Sequence, residues 1–85
     1  MPKKRPQYVT IGGRMFELGA IYAPRNGMGN CRQLLTFNPD GGWPGGRVVT
    51  WMISRSSRRP RDPVCGEWWA RWAGERITYE LTAMD

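Results

Sequence analysis

Residues 47–53, Arg-Val-Val-Thr-Trp-Met-Ile, constrain the fold more than any other stretch of the chain. Val49, Trp51 and Ile53 alternate with a second set of apolar and β-branched residues, a composition and period typical of a β-strand. Because both sets are largely apolar, the pattern predicts a central strand that is covered on both faces. We therefore expect the domain to be a sheet built around this segment.

A strongly basic segment, residues 55–62, follows this strand. It has no acidic residue before Asp62, and Pro60 lacks the backbone N–H that a continuing strand would need. The segment is therefore predicted to be an exposed loop at the end of a rigid strand, a common setting for a binding surface. Its arginines are Arg55, Arg58, Arg59 and Arg61.

A β-hairpin is predicted at residues 8–18. Two alternating segments flank Gly12 and Gly13, and a glycine pair can adopt the positive φ angles of a two-residue hairpin turn. Gly19 then interrupts the pattern before a further apolar segment at residues 20–22. A glycine in this position indicates a bend or bulge, which helps a small sheet to curl.

Two loops flank the next predicted strand, residues 32–37. The first, residues 24–30, contains a proline and an Asn-Gly pair. The second, residues 40–46, has four glycines around Trp43. We interpret Trp43 either as a lid folded back on the core or as an exposed group on which a ligand could stack.

The last part of the chain is predicted to be a helix followed by a half-buried strand at residues 76–82. Asp62 and Pro63 are typical of a helix start, and Gly74 is placed to end the helix. Three tryptophans recur at helical spacing between these limits, and we interpret them as a plug for one end of a barrel or, alternatively, as partly exposed. They are Trp68, Trp69 and Trp72.

The order of elements across residues 8–82 is a hairpin, two strands, a short helix and a last strand, which resembles a small SH3-like β-barrel. The predicted class is mainly β, with about five antiparallel strands and one short helix before the last strand. The predicted helix is longer than is usual in that architecture, so an open α+β sheet with one packed helix is the alternative. Residues 1–7 are predicted to be a disordered basic tail, residues 8–82 a single domain and residues 83–85 a C-terminal tail.

The charge of the chain favours a polyanionic partner. Thirteen basic residues face seven acidic ones, a net charge of +6, and all the basic residues except Lys3 and Lys4 are arginines. Guanidinium groups offer paired donors that suit phosphate and carboxylate oxygens. A GC-rich genome explains the arginine bias equally well, but the excess positive charge still attracts polyanions.

Several classes of function are disfavoured by residues that the chain lacks. It has no histidine, the usual general base near neutral pH, and no phosphate-binding loop motif, so we expect no enzyme. Cys31 and Cys65 do not make a metal or disulfide framework, and we expect reduced, buried thiols with no metal or cofactor. Without a signal peptide or a long apolar run, the chain is predicted to be cytoplasmic, without membrane contact, and a monomer or small homo-oligomer.

Arginines interleaved with aromatic residues across several loops are the main functional signal. These loops are expected to meet at one rim of the barrel and to form a basic groove with a stacking residue, an arrangement that binds nucleic acid. We therefore predict a small non-enzymatic module that binds DNA or RNA. The alternative is a protein-binding module or inhibitor, of phage or mobile-element type, that docks on an acidic protein surface; a basic face kept for solubility is a third interpretation. The predicted binding residues are Arg25, Arg32, Trp43, Arg47, Arg55, Arg58, Arg59 and Arg61.

Overall fold

The computed structural model describes residues 5–53 and 58–77. In these ranges, short alternating segments separated by turns form eight strands and one helix. Several predicted parts lie outside these ranges: residues 1–4 of the basic tail, Arg55, residues 78–82 of the last strand, and the C-terminal tail. In chain order the elements are β1 (Tyr8–Ile11), β2 (Arg14–Glu17), β3 (Ile21–Pro24), β4 (Cys31–Asn38), β5 (Arg47–Ile53), β6 (Arg58–Pro60), β7 (Val64–Cys65), α1 (Gly66–Trp72) and β8 (Ala73–Ile77).

The predicted hairpin is confirmed. Strands β1 and β2 pair in antiparallel register, with Ile11 opposite Arg14. Gly12 and Gly13 connect them with φ angles of 59° and 79°, which glycine adopts without steric cost. The hairpin is a two-stranded sheet of its own, and it contributes the buried side chains of Ile11 and Phe16 to the core.

The remaining strands form one antiparallel sheet. Its strand order is β6-β5-β4-β3-β8, and β7 pairs with β5 on the edge that β6 also uses. The predicted mainly β class, with antiparallel strands and one short helix, is confirmed. Within the described ranges the sheet does not close into a barrel, because its edge strands β6 and β8 do not pair with each other.

Strand β5 is an interior strand, as predicted, but it is not covered on both faces. Val48 and Thr50 are 0% and 1% exposed on the face that α1 covers, and Ile53 is buried on the other face. Trp51, however, is 38% exposed. Its neighbours in register are Gln33 on β4 and Pro60 on β6. The single helix packs on the opposite face, so it cannot cover this indole.

The segment between β5 and α1 differs from its prediction. Residues 58–60, predicted as loop, form the edge strand β6. An edge strand tolerates Pro60, because the N–H that proline lacks would have no strand to bond to on the open side. The predicted helix start at Asp62 is also wrong. Pairing of β7 with β5 keeps the chain extended up to Cys65, which is the N-cap, and the helix begins at Gly66. The Cys65 Sγ accepts a hydrogen bond from the backbone N–H of Trp68 at 3.4 Å.

The helix ends earlier than predicted, and not at a glycine. It stops at Trp72, Ala73 follows with φ −70° and ψ 126°, and the chain continues directly as β8. Gly74 lies inside β8, where a Cβ atom would come 3.0 Å from the carbonyl oxygen of Ala23. The glycine therefore allows two backbones to approach closely, rather than forming a left-handed helix cap.

Helix α1 completes the core from one side of the sheet. Trp69 is 0% exposed, and its ring centroid lies 5.7 Å from that of Phe16 and 5.8 Å from that of Tyr22, both in edge-to-face geometry. Trp68 and Trp72 are half-buried. The two interpretations of the tryptophan series, burial and partial exposure, thus each hold for part of it.

Two further predictions concern cysteines and membranes. Cys31 and Cys65 are free, and they are half-buried rather than buried as we expected. Among residues 5–53 and 58–77 there is no helix long and apolar enough to cross a membrane.

Candidate functional site

The antiparallel sheet gathers five of the eight predicted binding residues at one end. This end lies where β3 and β5 finish and where β4 and β6 begin, so residues far apart in sequence become neighbours. Arg32 pairs in register with Met52, which pairs in turn with Arg59. The backbone N–H of Arg61 donates to the carbonyl oxygen of Thr50 at 3.3 Å. We call the group the arginine end; its members are Arg25, Arg32, Arg58, Arg59 and Arg61.

The other predicted residues do not join this group. Arg47 begins β5, opposite Asn38 and Cys65, and is separated from Met52 by five residues of extended chain, roughly 17 Å. Trp43 lies in the loop before β5 and is 40% exposed. Arg55 lies outside the described residues. The single rim predicted from sequence is therefore divided between two ends of the sheet.

The loop that carries Trp43 forms hydrogen bonds with the N-terminus of α1. The backbone N–H of Gly66 donates to the carbonyl oxygen of Gly46 at 2.8 Å, and that of Glu67 donates to the carbonyl oxygen of Pro44 at 3.2 Å. These bonds satisfy two N–H groups in the first turn of α1, which no helical carbonyl can reach. The loop therefore starts the helix, and the Trp43 ring remains at the surface beside it.

Arg32 has the most unusual environment among the five arginines. Its guanidinium lies 4.9 Å from the ring centroid of Trp68 and 5.5 Å from that of Trp72, close enough for cation–π attraction to both. It also lies 3.4 Å from the Thr50 Oγ1, to which it donates. Burial lowers the pKa of Arg32, and the positive charge of Arg61 lowers it further. The guanidinium nevertheless stays protonated at any ordinary pH.

The aromatic pair beside Arg32 was not predicted as part of the site. Trp68 and Trp72 occupy positions i and i+4 of α1, and their rings stack with centroids 5.6 Å apart and planes inclined by 15°. Their spacing was visible in the sequence, but it favoured a plug equally well. Only the tertiary structure shows that they lie next to a cation, the Arg32 guanidinium.

A shallow cavity of about 230 Å³ adjoins Trp72. It is lined by Arg25, Asn26, Arg71 and Trp72. Arg71 is exposed and was not among the predicted binding residues, and it adds to the positive surface. Arg25 is held in place because its backbone N–H donates to the carbonyl oxygen of Trp72 at 2.8 Å and its side chain donates to that of Ala70 at 3.0 Å.

Arg14 has a structural position instead. Its Nη1 donates to the carbonyl oxygens of Ala70 and Ala73, at 2.7 and 2.8 Å, and its guanidinium lies 4.9 Å from the Phe16 ring centroid. These carbonyls are among the groups that a helix C-terminus leaves unpaired. Arg14 thus caps α1 and stabilises its negative end.

The arginines of the arginine end form no ion pair with the described acidic residues. Within the described ranges the only ion pair joins Arg76 to Glu17, at 3.3 Å. None of the arginine-end residues has a carboxylate partner among the residues described, and all but Arg32 are exposed. The mutual repulsion of these cations is relieved by any anion that binds there.

Other chemistry finds little support in the described part of the chain. Its cysteine and acidic residues form no group of three or more that could hold a metal ion. Ser54, Ser56 and Ser57, which lie in the predicted basic loop, are outside the described residues. Comparisons of the chain with protein-family models, with curated proteins and with solved structures found no match.

Proposed function

We propose that this chain is a small non-enzymatic module that binds nucleic acid and that its arginine end contacts phosphates. The observation that carries the proposal is the convergence of five arginines at one end of the sheet, without carboxylate partners among the described residues. A nucleic acid presents phosphates at regular intervals, so it can neutralise several arginines at once.

The environment of Arg32 supports this assignment. Its guanidinium is partly desolvated beside Trp68 and Trp72, and the charge of Arg61 disfavours its protonated form. A phosphate between Arg32 and Arg61 would accept hydrogen bonds from both and offset this repulsion. The Trp68–Trp72 pair would hold the Arg32 side chain ready for that contact.

The finer fold assignment, an SH3-like barrel, is likewise a proposal. It is supported by the hairpin at the start of the domain, by the antiparallel order of β3, β4 and β5, and by the short helix placed before β8. A small curled sheet is a suitable scaffold, because it brings arginines from separate strands and loops to one surface.

Fluorescence anisotropy of labelled oligonucleotides tests the function directly. Single-stranded and duplex DNA and RNA are titrated with the protein from about 50 to 200 mM salt, a range over which several phosphate contacts cost orders of magnitude in affinity. We expect micromolar or tighter binding at the low-salt end and a steep salt dependence. No binding at low salt would refute the proposal and favour an acidic protein partner instead.

Arginine variants then test where the phosphates bind. The triple variant Arg58→Ala/Arg59→Ala/Arg61→Ala should weaken binding to all sequences, and its salt slope on single strands should fall by about 2, since each lost contact contributes about 0.7. A matched control compares Arg59→Ala with Arg47→Ala, which removes the same charge from the other end of the sheet. Equal losses in the two single variants, or an unchanged triple variant, would exclude the arginine end as the binding surface.

A further inference from the structure

Trp51 is a large aromatic side chain whose exposure the core does not explain. It is 38% exposed although it lies on an interior strand. Among the described residues it belongs neither to the buried cluster nor to the side chains packed against that cluster. No aromatic ring or cation of the described part of the chain pairs with its indole.

The neighbours of Trp51 on the sheet include a polar and a basic residue. Its neighbours in register are Gln33 and Pro60, and both leave the indole accessible. Arg58 lies two residues from Pro60 on β6, hence on the same face of the sheet and diagonal to Trp51, at roughly 7 to 8 Å between Cα atoms. An exposed ring therefore lies beside an exposed member of the arginine end.

Strand pairing also fixes the face of the sheet from which the Trp51 side chain projects. The backbone of β5 pairs with β4 on one side and with β6 on the other at Trp51, so the side chain projects from a hydrogen-bonded scaffold. Trp43, the aromatic residue that the sequence favoured for stacking, lies instead in a loop at the far end of the sheet. The two side chains are almost equally exposed, at 38% and 40%, but only Trp51 lies beside a member of the arginine end, Arg58.

We infer that Trp51 is a stacking platform for an unpaired base and that the ligand is single-stranded nucleic acid. This inference rests on the proposed nucleic-acid function and adds the ligand class to it. A ring that lies on a sheet surface can stack only on a base whose face is free, as in a single strand, whereas the bases of a duplex are stacked on one another. Arg58, on the adjacent strand and on the same face of the sheet, supplies a cation that holds a phosphate next to that base.

Two pairs of substitutions separate stacking from charge and from folding. Trp51→Leu keeps an apolar side chain but removes the π face, and Trp51→Tyr keeps an aromatic ring. Trp43→Leu and Trp43→Tyr are the matched controls at equal exposure. The probes are an oligothymidylate of about 20 nucleotides, longer than the single-strand site of one small domain, and a duplex of the same length.

Trp51→Leu should weaken oligothymidylate binding about 5- to 150-fold, the loss that corresponds to one base stacked on an aromatic ring. Duplex binding should stay within about twofold, because it depends on phosphate contacts. Trp51→Tyr should retain most of the single-strand affinity, and the Trp43 variants should resemble the unmodified protein. Equal losses on both probes from Trp51→Leu, or a larger loss from Trp43→Leu, would overturn the inference.

Indole fluorescence gives a second test that needs only the conservative variants. Stacking on a base quenches tryptophan emission, so Trp51→Tyr should lose most of the quench that oligothymidylate causes, and Trp43→Tyr should keep it. A quench that persists in Trp51→Tyr would refute the platform.

The two proposals fail in distinguishable ways. If the unmodified protein binds with a steep salt slope and the Trp51 variants match it, the platform is wrong and the nucleic-acid function stands. If the unmodified protein binds neither probe at low salt, the function fails, and the platform fails with it.

Discussion

Trp69 offers a quantitative test of the packing that supports the site. It is 0% exposed, and three aromatic rings surround it: Phe16 and Tyr22 edge to face, and Trp72 with ring centroids 5.2 Å apart. Replacing a buried tryptophan by alanine costs about 3 to 5 kcal/mol. A chain of 85 residues has a free energy of unfolding of about 4 to 13 kcal/mol in all. Trp69→Ala should therefore remove a substantial part of this stability and lower the melting temperature by at least about 12 °C.

Trp69→Phe should behave differently for a specific reason. The Nε1 of Trp69 is buried and has no hydrogen-bond partner among the described residues. Such an unpaired donor costs about 1 to 3 kcal/mol, and phenylalanine removes it. This gain offsets much of the cavity that the smaller ring leaves, so the net change in the free energy of unfolding should stay within about 1.5 kcal/mol.

Urea and thermal unfolding of the two variants, followed by circular dichroism, measure both effects. Trp43→Ala, at an exposed indole, is the control and should change the free energy of unfolding by no more than about 0.5 kcal/mol. If Trp69→Phe costs as much as Trp69→Ala, the indole N–H has a partner and the reasoning is wrong. A loss below about 1 kcal/mol in Trp69→Ala would remove Trp69 from the core.

Two further predictions concern residues whose surroundings are specific to this fold. A Cβ atom on Gly66 would overlap the carbonyl oxygen of Gly45. Gly66→Ala should therefore lower the free energy of unfolding by at least about 2 kcal/mol. Glu67→Gln, at an exposed side chain, is the control, and an equal loss in the two variants would contradict the contact between the loop and the helix. Burial raises the pKa of the Cys31 thiol, so in a Cys65→Ser variant iodoacetamide should react with Cys31 at half its maximal rate only above the pH typical of a free cysteine. Unfolding in urea should abolish that shift, and a profile that urea leaves unchanged would contradict it.

Local signals in the sequence predicted the hairpin and the interior position of β5 correctly. The glycine pair at residues 12–13 needs no distant partner to form its turn, and the alternation of residues 47–53 reports strand structure directly. The existence of a short helix was equally visible, because three tryptophans recur at its period. The limits of the helix could not be predicted from the sequence, because the pairing of β7 with β5 competes with the local start signal at Asp62.

The candidate site was predictable in its charge but not in its arrangement. The excess of arginine over acidic residues is a property of the sequence alone. Which arginines become neighbours depends on strand register, and register places Arg32 and Arg59 on either side of Met52 while it separates Arg47 from them. The pattern of residues 47–53 also gave no reason to propose Trp51, rather than Trp43, as the stacking residue. Exposure of Trp51 depends on which face of the sheet the single helix covers.

Sequence alone therefore determined the mainly β character, the short helix, the positive charge and the lack of histidine, because each follows from composition or from contacts between near neighbours. Tertiary structure decided the start of the helix at Gly66, the division of the predicted basic rim between two ends of the sheet, and the exposure of Trp51. These features depend on pairings between strands distant in the chain and on the packing of one helix against one face. Periodicity along a segment cannot specify its distant partners.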